Sequence, residues 1–363
     1  MARFGSKQIR VVDFFCGCGG TCAGLQKAGM KVLLGIDVDA DAEKTFRANF
    51  PKSEFLRRDI TKVVFNDLYD FLPKAENRGV AFPLLFSACA PCQPFSKQNQ
   101  HLDENDRRRS LLSQFHRFVE HFLPEYIFVE NVPGLQNISP KSGVFGKFLS
   151  FLAKNQYNYE VAVIAAEDYG IPQCRRRLIV LASRLGNIPF PVPTHGPHSK
   201  NIAFSTVGDW IKDIPPLKAG QTDKSDHNHR AAALSPLNFE RIKATPIGGS
   251  RKDWPKHLIL DCHKAHSGHS DVYGRLHWDK PAPALTTRCI SLSNGRFGHP
   301  KQHRAISVRE AACLQTFDRQ FVFHGNLNSM AKQIGNAVPV LLAEKFGREI
   351  IRHFNAYMKE QVR

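Results

Sequence analysis

The sequence predicts an α/β protein: a doubly wound, mostly parallel sheet with a smaller irregular domain. Three observations lead there. Short apolar runs alternate with longer helical patterns from about residue 9 to 185. Several of the runs stop abruptly at acidic residues or glycines. The alternation ends at the proline-rich segment 188–197, after which His, Gly, Pro, Ser and Lys dominate to about residue 302. Alternating strands and helices satisfy their apolar faces by stacking helices on both sides of a parallel sheet.

The elements follow in order. Residues 9–15, rich in Val and Phe, read as the first strand, and 21–28 as a helix. Residues 31–36 read as a second strand that ends at Asp37. Residues 41–50 are helical, with Asp41 as the expected N-cap, since a short acidic side chain satisfies the first free amides. The apolar run 83–87 is a short buried strand that cannot continue through Pro91 and Pro94. Residues 109–122 carry a helical apolar stripe, and 126–129 form a strand ending at Glu130. Residues 144–155 are helical and 178–181 form another strand. Strong helical patterns return at 307–314 and 338–358, and the last of these is expected to pack back on the sheet.

Composition narrows the function classes. The chain has 363 residues with a net charge of +17. Such an excess of cations points to a polyanionic partner, most often nucleic acid. No apolar run reaches the roughly 18 residues of a membrane span, and the first residues lack the apolar core of a signal peptide. A cytoplasmic protein with no membrane partner is expected. Nine irregularly spaced cysteines then read as reduced thiols.

Four motifs carry chemistry. The first, residues 13–20, runs from a strand through Gly17, Gly19 and Gly20 into a helix, so the backbone can turn tightly and approach a ligand. Asp37 ends the next strand, where a carboxylate reaches both hydroxyls of a ribose. The spacing departs from G-x-G-x-x-G and fits an adenosine cofactor in general; a plain tight turn is the alternative. The second motif is Cys92, at the end of a buried strand, a candidate nucleophile. Cys89-Ala90-Pro91-Cys92 is also formally C-x-x-C, and a buried structural cysteine is a further reading. The third is Glu130, whose carboxylate at a strand end suits general acid work if desolvated. The fourth is Gln173 with Arg175 and Arg177, whose guanidinium forks suit phosphates and base carbonyls. Cys16, Cys18 and Cys22, and the cluster His257, Cys262, His263, His266 and His269, lack paired ligand spacing, so no metal is expected.

Taken together and in this order, these elements resemble the C5-cytosine DNA methyltransferase family over nearly the whole chain. Residues 13–20 resemble its cofactor loop, Pro91-Cys92-Gln93 its catalytic Pro-Cys-Gln, and Glu130-Asn131-Val132 its Glu-Asn-Val. Gln173, Arg175 and Arg177 resemble its Gln-x-Arg-x-Arg, and Arg309-Glu310-Ala311-Ala312-Cys313-Leu314-Gln315 is similar to its late helix. Gln333-Ile334-Gly335-Asn336-Ala337-Val338-Pro339 is similar to its Gly-Asn-Ala-Val-Pro element.

The resemblance implies a Rossmann-like methyltransferase fold, S-adenosyl-L-methionine as cofactor and double-stranded DNA as partner. It implies a catalytic domain over 1–189, completed by 330–363, and a target-recognition domain over 190–329. Cys92 would add to C6 of a flipped-out cytosine and Glu130 would act at N3. Arg177 would contact O2, and Arg175 would support Glu130 or the flipped nucleotide. Phe15, Gly17, Gly19, Gly20, Asp37, Val38, Asp59, Ile60, Pro91, Asn336 and Ala337 would hold the cofactor. A monomer suffices to methylate one strand at a time, within a bacterial restriction-modification or epigenetic system. The chain departs from the family at Ala90, Asp37 and Ala284, where Gly or Pro, Glu, and Thr are common.

Overall fold

The computed structural model describes residues 8–72, 82–90, 111–134, 143–199, 202–264 and 271–362. The described residues separate into two compact units. One is drawn from Met1–Ala165, Arg176–Val192 and Val338–Arg363, the other from Ala166–Arg175 and Pro193–Ala337.

The first unit holds a seven-stranded sheet. Its strands are β1 (Arg10–Phe14), β2 (Lys31–Asp37), β3 (Glu54–Arg57), β4 (Leu84–Ala88), β5 (Tyr126–Asn131), β6 (Asn158–Ala165) and β8 (Arg176–Ser183). The order is β3-β2-β1-β4-β5-β8-β6. The first five are parallel, while β8 lies antiparallel between β5 and β6. The doubly wound, mostly parallel sheet is therefore present. The order reverses at β1, which pairs with β2 on one side and β4 on the other. Open α/β sheets bind ligands outside the carboxyl ends of their strands at such a point.

Both faces of the sheet are covered, as the period of two in a strand requires. On one face Phe14 meets Phe86 at 5.1 Å and Phe115 of α4 (Leu111–Phe122) at 5.2 Å. Val12, Ile127 and Val129 share that core with Phe148 of α5 (Val144–Lys154). On the other face Phe128 packs on Phe346 of α11 (Val340–Val362), 5.4 Å between ring centroids. The C-terminal helix thus does pack back on the sheet. It also lies close along α1 (Gly20–Lys27): a Cβ on Gly24 would collide with the Val340 carbonyl oxygen and Ala343. Helix α2 (Ala40–Asn49) is capped by Asp39, whose carboxylate accepts from the amides of Asp41 and Ala42. The cap lies two residues before the Asp41 expected, because the helix starts at Ala40 and Asp41 already sits in its first turn. Helix α3 (Asn66–Tyr69) is a single turn before β4.

The second unit is irregular. It holds α6 (Val207–Ile211), α7 (Pro236–Ala244), α8 (Asp261–Lys264), α9 (Val308–Leu314) and α10 (Leu327–Asn336). Its two short strands, β7 (Gln173–Cys174) and β9 (Ala282–Pro283), pair in parallel. Buried guanidinium groups take the place of regular ladders. Arg275 donates to the carbonyls of Thr245, Ile242, His299 and Gln302. Arg304 makes a two-pronged pair with Glu310, 2.7 Å on each oxygen, and Glu310 closes a capping box with Ser307.

Three segments fall in a different unit from the sequence expectation. Residues 166–175 and 330–337 belong to the second unit, and residues 190–192 to the first. Gln173 explains the first: its side chain accepts from the Leu285 amide at 2.9 Å and donates to Gln315.

Candidate active site

Parallel register brings the carboxyl ends of β1, β4 and β5 to one edge: Phe14 lies opposite Ala88, and Ala88 opposite Val129. Because β8 is antiparallel, its amino end arrives at the same edge, with Leu178 opposite Asn131. Strand polarity alone thus gathers the β1 loop, the end of β2, Cys89, Glu130 and Arg177.

After β1 the chain turns with positive φ at Phe15 (57°), Gly17 (51°) and Gly19 (93°). Glycine is required at Gly19, which caps α1 in the left-handed region and where a Cβ would strike the Phe50 ring. A Cβ on Gly17 would meet nothing within 4 Å, so that face of the loop opens onto space. Gly20 is the buried first residue of α1, and Phe15 packs half-buried against the aromatic core.

Asp37 ends β2 and ties the loop down. Its Oδ2 accepts from the Gly17 amide at 2.9 Å, and its Oδ1 from Val38 at 2.7 Å and Asp39 at 3.0 Å. Burial raises its pKa, and these three donors pull the other way. Three bonds leave one acceptor position of a carboxylate open. Val38 is 67% exposed, an apolar surface beside that carboxylate. Asp59 caps the short turn Ile60–Lys62 through the Thr61 amide, and Ile60 is buried beneath it.

Glu130 is 2% exposed. Arg177 Nε lies 2.7 Å from its Oε1, and the Cys89 thiol donates to its Oε2 at 2.9 Å. Asn131 turns its side chain to the Ala90 carbonyl at 3.4 Å.

The arginines differ from the sequence reading. Support for Glu130 comes from Arg177. Arg175 belongs to the second unit, is 3% exposed, and donates to the carbonyls of Leu285, Gly335 and Ala337 at 3.2–3.4 Å. Asn336 is exposed at the end of α10, and the Ala337 carbonyl also accepts from Gln315. Pro91 and Cys92 lie outside the described residues.

Asp13 is a carboxylate inside an apolar strand, with no role of its own in the sequence motifs. It is 1% exposed and accepts from Ser87 at 2.6 Å and Cys22 at 3.1 Å. Burial pushes its pKa from 3.8 to about 6, against those two bonds. The signal available was a charged residue flanked by Val12 and Phe14. Burial also drives Cys18 to about 12, and Cys16 and Cys22 well above the usual range, so these thiols stay protonated.

The Asp13 shift makes a prediction. The folded state favours the protonated carboxyl, so its stabilising effect is complete below pH 3.8 and is lost as pH rises through about 6. Above that the buried charge costs on the order of 3 kcal/mol. Asp13→Asn should therefore raise the thermal midpoint at pH 8 and change it little at pH 4, as calorimetry at both pH values would read. An equal effect at both would show that Asp13 titrates normally.

A glycine loop, the Asp37 carboxylate that ties it down and the buried Glu130 carboxylate on one strand edge make a candidate enzyme site on an α/β fold. The C-5 cytosine-specific DNA methylase family matches residues 9–352, and the chain belongs to that family. Type II methylase M.HgiDII of Herpetosiphon aurantiacus is 38% identical over 97% of both chains. Type II methyltransferase M1.HphI of Haemophilus parahaemolyticus is 32% identical over 95% of this chain and 87% of its own. A prophage-encoded DNA modification methyltransferase of E. coli superposes with a TM-score of 0.73 at 22% identity, covering 96% of this chain and 100% of its own. Entamoeba histolytica methyltransferase EhMeth gives 0.61 at 18%, covering 97% and 99%. These two likenesses establish the fold.

The protein is thus a DNA cytosine methyltransferase, and S-adenosylmethionine is its cofactor. The first unit fits that molecule: open space over Gly17, a spare carboxylate acceptor on Asp37, and exposed apolar surface at Val38. Among the described residues, no helix is long and apolar enough to cross a membrane.

Proposed function

We propose that the protein methylates C5 of a flipped-out cytosine within a specific duplex DNA sequence, through a covalent bond between Cys92 and C6. It would act as a monomer in the cytoplasm, as the modification arm of a bacterial restriction-modification or epigenetic system. The observation that carries this reading is the buried Glu130 carboxylate, with Arg177 on one oxygen, at the edge that also holds the glycine loop.

Cytosine C5 is a weak nucleophile. Addition of the Cys92 thiolate at C6 converts C5–C6 into an enamine, and Glu130 offsets the developing charge by donating a proton at N3. Arg177 holds the Glu130 carboxylate, and it would contact the O2 carbonyl of the base. S-adenosylmethionine, when bound, supplies an electrophilic methyl group. Phe15, Gly17, Gly19, Gly20, Asp37, Val38, Asp59 and Ile60 hold it against the β1–β2 edge. Once C5 carries the methyl group, loss of its proton expels Cys92 and restores aromaticity.

A thiolate cannot reach C6 inside a stacked duplex, so the nucleotide must leave the helix. The net charge of +17 supports backbone binding, which should weaken steeply with salt. The irregular second unit, rich in basic loops, suits reading a duplex sequence.

The test offers purified protein methyl-labelled S-adenosylmethionine with unmethylated duplex DNA or, separately, bulk tRNA. Label recovered from DNA as 5-methylcytosine is expected, and bisulfite sequencing of the product would give the target. Label only in tRNA would replace this reading with an RNA methyltransferase on the same fold.

A further inference from the structure

Cys89 sits one residue beyond β4, three residues before Cys92. Its amide donates to the Phe14 carbonyl at 3.3 Å, and the next carbonyl, of Ala90, accepts from Asn131 at 3.4 Å. The backbone around it is therefore pinned to β1 on one side and to the end of β5 on the other. Its thiol is delivered to Oε2 of Glu130 at 2.9 Å.

The two oxygens of Glu130 have unequal partners. Oε1 is ion-paired to the Arg177 Nε at 2.7 Å but receives no aligned hydrogen bond among the described residues. Among the described residues, Oε2 receives the Cys89 thiol, a weak donor. A buried carboxylate oxygen without any donor is costly, so some donor belongs there. A strong one would have to be broken before substrate could engage. A thiol both holds the oxygen in place and releases it readily.

We infer that Cys89 is a positioning residue, whose thiol holds Oε2 of Glu130 aimed at the base until N3 of the cytosine replaces it. This rests on the reading that Glu130 acts on the cytosine ring. The assignment explains why a cysteine occupies this position although its neighbours Cys16, Cys18 and Cys22 are locked as inert thiols. It also divides the labour at Glu130: Arg177 orients the carboxylate through Oε1, and Cys89 keeps Oε2 exchangeable.

The experiment compares Cys89→Ala, Cys89→Ser, Glu130→Gln and the double variant Cys89→Ala/Glu130→Gln by single-turnover methylation of unmethylated duplex DNA. Cofactor affinity is measured in parallel by calorimetry. Cys89→Ala should slow methyl transfer by about 10-fold, the scale of one lost hydrogen bond to a charged group. Cofactor affinity and the KM for DNA should stay unchanged. Cys89→Ser, which keeps a donor, should recover to within about 3-fold of the wild type. In the Glu130→Gln background, Cys89→Ala should have no further effect, because the two act through one contact. A wild-type rate in Cys89→Ala, failure of serine to rescue, or an undiminished loss in the Glu130→Gln background would each overturn the assignment. A wild-type rate in Glu130→Gln alone would instead remove the role of Glu130 itself.

Discussion

Cys92→Ala is expected to lose methyl transfer by at least about 10⁴-fold, some 5 kcal/mol of transition-state stabilisation, while still binding duplex DNA. The reason is electronic. Without a nucleophile at C6 the pyrimidine keeps its aromatic π-system and C5 has no carbanion character. Orientation by the cofactor loop and Glu130 cannot substitute for a covalent step that changes what the ring is. DNA affinity resides mainly in phosphate contacts made by a chain of net charge +17, so a lost thiol leaves it intact. Label incorporation and a gel-shift assay read the two properties separately. A substrate carrying fluorine at C5 adds a direct check, since fluorine cannot leave as the proton does and the adduct persists. The wild type should give a complex that survives denaturation and Cys92→Ala none. Methylation within 10-fold of wild type in the variant would remove Cys92 from the chemistry.

The sequence discloses what depends on local pattern and hides what depends on distant partners. Strands β1, β2, β4 and β5 were legible because each is an apolar run stopped by a polar or small residue, and the cofactor loop because glycines cluster after the first. Strand β3 is four residues with charged ends, Glu54 and Arg57, and carries no apolar signature. Strand β6 lies at the sheet edge with Tyr159 and Val163 exposed, so its pattern does not follow burial on either face.

The site was legible residue by residue but not pair by pair. Glu130 and Arg177 meet because β8 runs antiparallel beside β5, a register that neither strand's own sequence encodes. Arg175 and Arg177 stand two residues apart, and the resemblance assigns support of Glu130 to Arg175 rather than Arg177. One is taken by carbonyls of the second unit, while the other reaches the carboxylate. Cys89 stood out only as half of a C-x-x-C, because its partner is 41 residues away. In the second unit, buried Arg275 and Arg304 organise loops through carbonyls, those of Thr245 and Leu217 among them, that no periodicity marks.

Glu130→Gln is expected to lower the rate of methyl transfer by about 10²–10³-fold, within the range for a positioned general acid, with cofactor affinity unchanged. The amide has almost the same shape, so the comparison isolates charge and the proton. Arg177 carries only donors, so it fixes the amide orientation by requiring the oxygen on its side. The NH₂ then occupies the place of Oε2. It can donate a hydrogen bond to N3 of cytosine but cannot surrender a proton, and it brings no negative charge to balance a protonated ring. Thiolate addition at C6 is the step that suffers, so single-turnover rates should fall while the KM for DNA moves little. Cofactor affinity is the discriminating control. Asp37 and the glycine loop stand at the ends of β2 and β1, whereas Glu130 is the penultimate residue of β5, on the far side of β4. If calorimetry showed the loss in cofactor affinity instead, Glu130 would belong to the cofactor pocket, and the proton for N3 would have to come from another group.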